Sequence, residues 1–196
     1  AEGKRDERQC SLWSPYATER MIPQLLEVCA KYDLDGVWVD GDCWQTNLDY
    51  GPGAIRAWLQ MGLGADVPRK PSDPYWEVWL EFQRTRFRAY VRAYAEAVKA
   101  QRPQTEVCSN WLYSSYVPEK PDLPVDFLSG DYLGAAPIAR ARLDARYLAE
   151  ASRASAKPWD LMAWGFSVVP TDPPGHVYKP AIQLKQEASI VLAQGG

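Results

Sequence analysis

The chain contains one histidine, His176, and four cysteines, Cys10, Cys29, Cys43 and Cys108, with no Cys-x-x-Cys spacing among them. This scarcity of imidazole and thiolate ligands argues against a zinc centre, and we expect neither a metal ion nor another cofactor. A domain of this size does not need disulfides for stability, and cysteine is commonly a small buried hydrophobic residue. We therefore expect mostly free thiols.

Long apolar runs, basic clusters and glycine-rich phosphate-binding turns are also missing. No apolar run approaches the roughly 20 residues of a membrane-spanning helix, and residues 1–8 are polar rather than signal-like. The net charge is −3, and no stripe of lysine and arginine suited to nucleic acid is present. No GxGxxG or GKS/GKT turn follows a predicted strand, which argues against dinucleotide and nucleoside triphosphate binding. We expect no membrane segment and no nucleic-acid partner.

Phenylalanine is scarce, at four residues, whereas the chain has nine tryptophans and eleven tyrosines. Tryptophan and tyrosine combine a flat apolar face with a polar group, so they suit clefts that are partly wet, whereas a dry core favours phenylalanine and leucine. Sugar rings present flat C–H faces on which such side chains stack. The composition therefore favours a protein that binds carbohydrate.

The stretch 35–44 combines a buried strand with a cluster of carboxylates and indoles. Val37, Trp38 and Val39 suit a strand buried on both faces, and Asp40 marks the point where that strand leaves the core. Functional loops of parallel α/β proteins lie at the carboxyl ends of the strands. Three further predicted strands also end in polar or aromatic groups: 106–111 in Asn110 and Trp111, 125–132 in Asp131 and Tyr132, and 158–164 in Trp164.

Helical patterns alternate with these four strands. Proline at the start of a segment is typical of a helix beginning, and it occurs at 14–15, 73–74 and 137, each followed by apolar residues at helical spacing. This alternation predicts a parallel α/β sheet with right-handed crossovers. A (β/α)8 barrel takes about 250 residues. We therefore expect residues 1–196 to form a single, partial TIM-type barrel domain with strands 4 to 7 and the approach to strand 8. A small open α/β sheet is the alternative.

A partial barrel would leave two strand edges and an apolar inner face uncovered. Such edges pair readily with other chains. We therefore expect association, either with the missing barrel half or as a homo-oligomer. A secreted or periplasmic location is favoured.

Three segments, 33–41, 109–111 and 128–132, together resemble the fucosidase-like glycoside hydrolases. The chain looks closest to a group of hypothetical glycosyl hydrolases related to α-L-fucosidases. In α-L-fucosidases a Trp-x-Asp-Gly element ends the fourth barrel strand, and its aspartate is the nucleophile; Trp38-Val39-Asp40-Gly41 matches that element at each position. The resemblance implies a (β/α)8-type barrel and a retaining mechanism with Asp40 as the nucleophile. It transfers no motif for the acid/base residue.

Glycoside hydrolysis uses two carboxyl groups, one ionised and one protonated, on either side of the scissile bond. Asp40 is the expected ionised group. Asp131 is the expected general acid, because aromatic surroundings such as Tyr132 and Trp164 favour the protonated form. Asp42 is the rival acid. For each aspartate the structural alternative is a turn or capping role at the end of a strand.

Side chains next to these aspartates are the expected substrate-binding groups. Asn110 is placed either to bond a sugar hydroxyl or to satisfy neighbouring backbone groups. The other candidates are Asp42 and the stacking residues Trp44, Trp111, Tyr132 and Trp164. His176 lies in a proline-rich loop, where we expect it to be exposed rather than catalytic. The predicted function is hydrolysis of an oligosaccharide or glycoside, and a catalytically silent carbohydrate-binding domain is the alternative.

Overall fold

The computed structural model describes residues 9–40, 47–64, 66–110, 114, 117–132, 136–169, 171 and 175–196. A short π-helix, Ala17–Met21, runs into the first α-helix. The α-helices are α1 (Ile22–Lys31), α2 (Pro52–Leu59), α3 (Trp76–Gln101), α4 (Pro137–Ser155) and α5 (Ala181–Ala193). The strands are β1 (Gly36–Val39), β2 (Glu106–Ser109), β3 (Asp131–Tyr132), β4 (Met162–Ala163), β5 (Phe166–Val169) and β6 (Gly175–Tyr178). In these ranges no helix has the length and apolar character needed to cross a membrane.

The expected partial (β/α)8 barrel is wrong. Over the described ranges the strands form three two-stranded sheets, β1–β2, β3–β4 and β5–β6, and the last of these is antiparallel. β3 and β4 are each two residues long, and the β5–β6 ribbon stands where the sequence predicted a proline-rich loop. Alternating patterns give the order of helices and strands along the chain. They do not give the length or direction of strand pairing, and this is why the barrel prediction failed.

The chain divides into two compact units. The first comprises Ala1–Val37 and Trp44–Thr105, and the second comprises Trp38–Cys43 and Glu106–Gly196. The second unit contains every predicted site residue that the structure describes: Asp40, Asn110, Asp131, Tyr132 and Trp164.

Three of the four cysteines are described, and none of these three is joined in a disulfide. Cys29 and Cys108 are buried, as expected for small hydrophobic side chains, and Cys10 is exposed. Cys43 lies outside the described residues.

An aromatic cluster on α3 forms the core of the first unit. Trp79 of α3 and Trp58 of α2 are almost fully buried, and Trp13 and Phe82 pack against them. The ring of Trp79 stacks on Phe82 at 5.3 Å between centroids and meets Trp58 edge-on at 5.2 Å. Such pairs add about 0.5–1.5 kcal/mol each beyond the burial of their area. This core therefore depends on the aromatic face of α3.

Gln83, a buried residue of α3, pairs with the backbone of the segment that precedes α2. Its Oε1 accepts a hydrogen bond from the backbone N–H of Asp49 at 3.1 Å, and its Nε2 donates to the carbonyl oxygen of Asp49 at 3.1 Å. The carboxylate of Asp49 accepts hydrogen bonds from the Ser11 hydroxyl and the Gly51 N–H. A buried backbone group without a partner costs about 1–3 kcal/mol. The Gln83 side chain therefore gives Asp49 the two backbone hydrogen bonds that a neighbouring strand would otherwise provide.

Replacing Gln83 with leucine keeps the approximate size of the side chain but removes both hydrogen bonds to Asp49. We expect Gln83→Leu to lower the free energy of unfolding by about 1–3 kcal/mol, because two partly buried backbone groups lose their partner. Urea denaturation followed by tryptophan fluorescence measures this change. Gln24→Leu, at an exposed position of α1, is the matched control and should shift stability by less than about 0.5 kcal/mol. Equal stability of the two variants would contradict the role of Gln83.

In the second unit, parallel bridges connect neighbouring extended segments. β3 pairs in parallel with β4. Isolated parallel bridges join Asn110 to Ser129 and Leu128 to Trp159. α4 packs against β3 and α5, and α5 contacts β4. These bridges bring the end of each extended segment beside the end of the next.

A buried ionic network joins β3, the residue after β6, and α5. The carboxylate of Glu187 is fully buried and accepts hydrogen bonds from Tyr132 Oη at 2.6 Å, Lys179 Nζ at 2.9 Å and Gln183 Nε2 at 2.9 Å. Burial raises the pKa of Glu187, but the bonds from Lys179, Tyr132 and Gln183 outweigh it, so the net pKa is lowered. Burial, together with the hydrogen bond to Glu187, raises the pKa of the Tyr132 hydroxyl. Three donors around one carboxylate thus compensate for its loss of water.

Glu187→Gln removes the negative charge and leaves the buried ammonium of Lys179 without its counter-ion. We expect the variant to lose about 3–5 kcal/mol of unfolding free energy at neutral pH. Folding lowers the pKa of Glu187. The stability that its ionised form contributes is therefore present above the pKa of an unfolded-chain glutamate, about 4.3, and is lost as the pH falls through the lowered value. Urea denaturation at several pH values should show the difference between parent and variant shrinking below about pH 4.

Glu150→Gln is the matched control, because Glu150 pairs with Arg153 on the exposed surface of α4. Water screens that pair, so the substitution should leave stability unchanged. If Glu187→Gln were as stable as Glu150→Gln, or if its loss of stability were the same at pH 3 and pH 7, the charged state assigned to Glu187 would be wrong.

Candidate functional site

The described site residues come from the ends of neighbouring extended segments. Asp40 follows β1, and Asn110 follows β2. The backbone N–H of Asn110 donates to the carbonyl oxygen of Val39 at 3.0 Å, which aligns these two ends. The parallel bridge between Asn110 and Ser129 then continues to the segment that carries Asp131 two residues later. The local sequence favours this arrangement, because short apolar runs form strands and polar groups end them.

Asn110 orients the carboxylate of Asp40. Its Nδ2 donates to Asp40 Oδ1 at 2.8 Å. Asn110 is buried, with 2% of its surface exposed, whereas Asp40 is exposed. A hydrogen bond to a carboxylate is shorter and stronger than one between neutral groups. The site thus presents an exposed acidic group that a buried amide holds in place.

Trp38 and Ser129 belong to the same face, although sequence reasoning assigned neither of them to the site. Trp38 Nε1 donates to Ser129 Oγ at 3.1 Å, and Ser129 is buried. Side chains two residues apart on an extended strand share a face, so Trp38 lies on the face of Asp40 and Ser129 on that of Asp131. The two-residue spacing between Trp38 and Asp40 is the signal that could have identified Trp38.

Asp131 and Trp164, both predicted site residues, are brought together. Trp164 Nε1 donates to Asp131 Oδ2 at 3.3 Å. Asp131 is buried, with 8% of its surface exposed, and Trp164 is half-buried. The indole N–H thus meets this carboxyl group where little of the carboxyl surface reaches solvent.

The structure does not place the side chain of Tyr132 with those of Asp131 and Trp164. Its hydroxyl donates to Glu187 in the buried ionic network, and none of its surface is exposed. Neighbouring residues on a strand point to opposite faces, so Tyr132 and Asp131 diverge. Three other predicted site residues, Asp42, Trp44 and Trp111, lie outside the described residues.

The described part of the chain holds no group of three His, Cys, Asp or Glu side chains placed to bind a metal ion. An open groove of about 1010 Å³ lies along α4 beside residues 118–121. Its lining includes Arg142, Arg146 and Tyr147 but none of the predicted site residues. The candidate site is therefore the face that carries Asp40 and Asp131 at the strand ends, and not this groove.

The chain matches no protein-family model, no curated protein and no solved structure. Any function assigned to Asp40, Asn110 and Asp131 therefore rests on their chemistry and their arrangement.

Proposed function

We propose that this protein is a glycoside hydrolase that acts on an oligosaccharide or glycoside, with Asp40 and Asp131 as its two carboxyl groups. The observation that carries the proposal is the hydrogen bond of 2.8 Å from buried Asn110 to exposed Asp40. It orients one carboxylate towards solvent on the face that also bears a second, buried carboxyl group. Two carboxyl groups in unlike surroundings are what glycoside hydrolysis needs.

Asp40 is the proposed nucleophile. Its carboxylate attacks the anomeric carbon as the bond to the leaving oxygen breaks, and water later cleaves the glycosyl–enzyme ester. The bond from Asn110 Nδ2 to Asp40 Oδ1 limits rotation of this carboxylate. Orientation before substrate arrives lowers the entropic part of the barrier.

Asp131 is the proposed general acid. It gives its proton to the glycosidic oxygen while the leaving group departs, and it removes a proton from water in the second step. Its position on the face of Asp40, and its burial away from bulk water, are the observations that support this role. The half-buried indole of Trp164, bonded to the same carboxyl group at 3.3 Å, offers a flat apolar face beside the scissile bond. Sugar contacts from Trp44 and Trp111, and the rival acid role of Asp42, stay predictions.

Asp40→Asn keeps the shape of the side chain but removes the attacking charge. Testing a panel of 4-nitrophenyl glycosides identifies the sugar that the parent cleaves. For that sugar we expect kcat of Asp40→Asn to fall by at least about 1,000-fold, because loss of a nucleophile leaves only binding and positioning. Asp160→Asn, the same change at an exposed position ahead of β4, is the matched control and should keep parent activity.

Three outcomes separate the possible functions. Equal activity of Asp40→Asn and Asp160→Asn would exclude Asp40 from catalysis. A parent that binds sugar but cleaves no glycoside in the panel would be a carbohydrate-binding protein instead. Proton NMR of the first-formed sugar shows whether its anomeric configuration is retained or inverted, and this tests the nucleophile role. Retaining enzymes have the two carboxyl groups about 5–5.5 Å apart, and inverting enzymes about 6.5–9.5 Å. Retention is expected, and inversion would make Asp40 a base that activates water.

Asp131→Asn keeps an oxygen that can accept the Trp164 N–H but cannot supply a proton. We expect a loss of about 100- to 10,000-fold for phenyl glycosides, whose leaving group needs protonation. 2,4-Dinitrophenyl glycosides leave without a proton and should lose much less in the first step. The acid also shapes the pH dependence, so the alkaline limb of the kcat/KM profile should disappear. Equal losses on both substrates would indicate a structural role for Asp131.

A further inference from the structure

Beyond Trp164, a row of rings continues onto the β5–β6 ribbon. The ring of Trp164 lies 4.9 Å from that of Phe166, and Phe166 lies 4.6 Å from His176, measured between centroids. The two interplanar angles are 41° and 54°. Trp164 and Phe166 are half-buried, and His176 is exposed, as the sequence predicted. The row thus starts at the carboxyl group of Asp131 and ends at solvent.

Strand register places these side chains on one side of the ribbon. Phe166 pairs with Tyr178, and Val168 pairs with His176. Directly paired side chains of an antiparallel ribbon share a face, and so do residues two apart. Phe166 and His176 therefore project to the same side, and Val177, which pairs with Ser167, projects to the other.

We propose that Trp164, Phe166 and His176 form a subsite for the leaving group, and that the substrates are glycosides whose leaving group is itself a ring, such as a second sugar. This inference rests on the proposed hydrolase function. The general acid protonates the glycosidic oxygen, so the leaving group must lie next to Asp131. Trp164 contacts Asp131 directly, which puts the ring row on the leaving-group side of the scissile bond.

The chemistry of the row matches a ring with a flat apolar face. Sugars and aromatic aglycones present such faces, and partly exposed aromatic side chains gain free energy by covering them. The exposed imidazole of His176 at the outer end can also hydrogen-bond a hydroxyl group. A leaving group without a ring would gain nothing from these contacts.

Phe166→Ala removes the middle of the row. The test compares two substrates of the sugar that the parent cleaves: the 2,4-dinitrophenyl glycoside, with a ring to stack, and the glycosyl fluoride, with none. Neither leaving group needs a proton, and kcat/KM reports the first chemical step, so both values depend little on the acid Asp131. We expect kcat/KM of Phe166→Ala to fall about tenfold for the dinitrophenyl glycoside, through lost ring contact, and to stay near the parent value for the fluoride.

Val177→Ala is the matched control, because Val177 is exposed on the other side of the same ribbon. It should leave both rates unchanged, and His176→Ala should reproduce the selective loss in weaker form. The fluoride rate also shows that each variant is folded. Equal losses on both substrates, or no loss on either, would overturn the subsite while leaving the hydrolase proposal standing. A parent that cleaves neither substrate would remove the hydrolase proposal and the subsite with it.

Discussion

Asn110 holds the proposed site together through two hydrogen bonds of different kinds. Its backbone N–H donates to Val39 and aligns two chain segments, whereas its side-chain amide donates to Asp40 and orients a carboxylate. Because Asn110 is buried, water competes little for either bond. One residue therefore sets both the alignment of the strand ends and the direction of the acidic group. The Asp40 side chain therefore loses its conformational entropy during folding, and substrate binding does not have to order it.

Tryptophan has two unlike roles in the two units of this chain. Trp58 and Trp79 fill a dry cluster, and their indole N–H groups have no hydrogen-bond partner among the residues that the structure describes. Trp38 and Trp164 instead donate their N–H groups to polar side chains at strand ends. Composition alone cannot separate these roles, because the flat face and the polar N–H belong to the same ring. The two roles differ in whether the indole N–H donates to a polar side chain among the described residues.

The sequence was informative where structure is local. Short apolar runs ending in polar residues located Asp40 and Asn110 directly after β1 and β2, and proline boundaries located α3. Asp131 was expected at the end of a strand and is the first residue of β3. Contacts that span long stretches of chain, such as Trp38 with Ser129, leave no periodic signal in a single sequence. The barrel prediction failed for the same reason, because pairing between strands is non-local. The sequence pattern did not predict the β5–β6 ribbon, because the prolines and glycine around its two short strands are typical of a loop.

The base of the β5–β6 ribbon is anchored from two directions by Lys179. Its backbone N–H donates to the carbonyl oxygen of Gly165, and its ammonium is buried against Glu187 of α5. Swinging the ribbon outward would pull a buried cation from its counter-ion, which is far costlier than bending an ordinary loop. These two contacts hold the base of the ribbon in place. In the proposed subsite, a ring that stacks on the ribbon would therefore meet a surface already in place, and its binding and release would need no motion of the ribbon base.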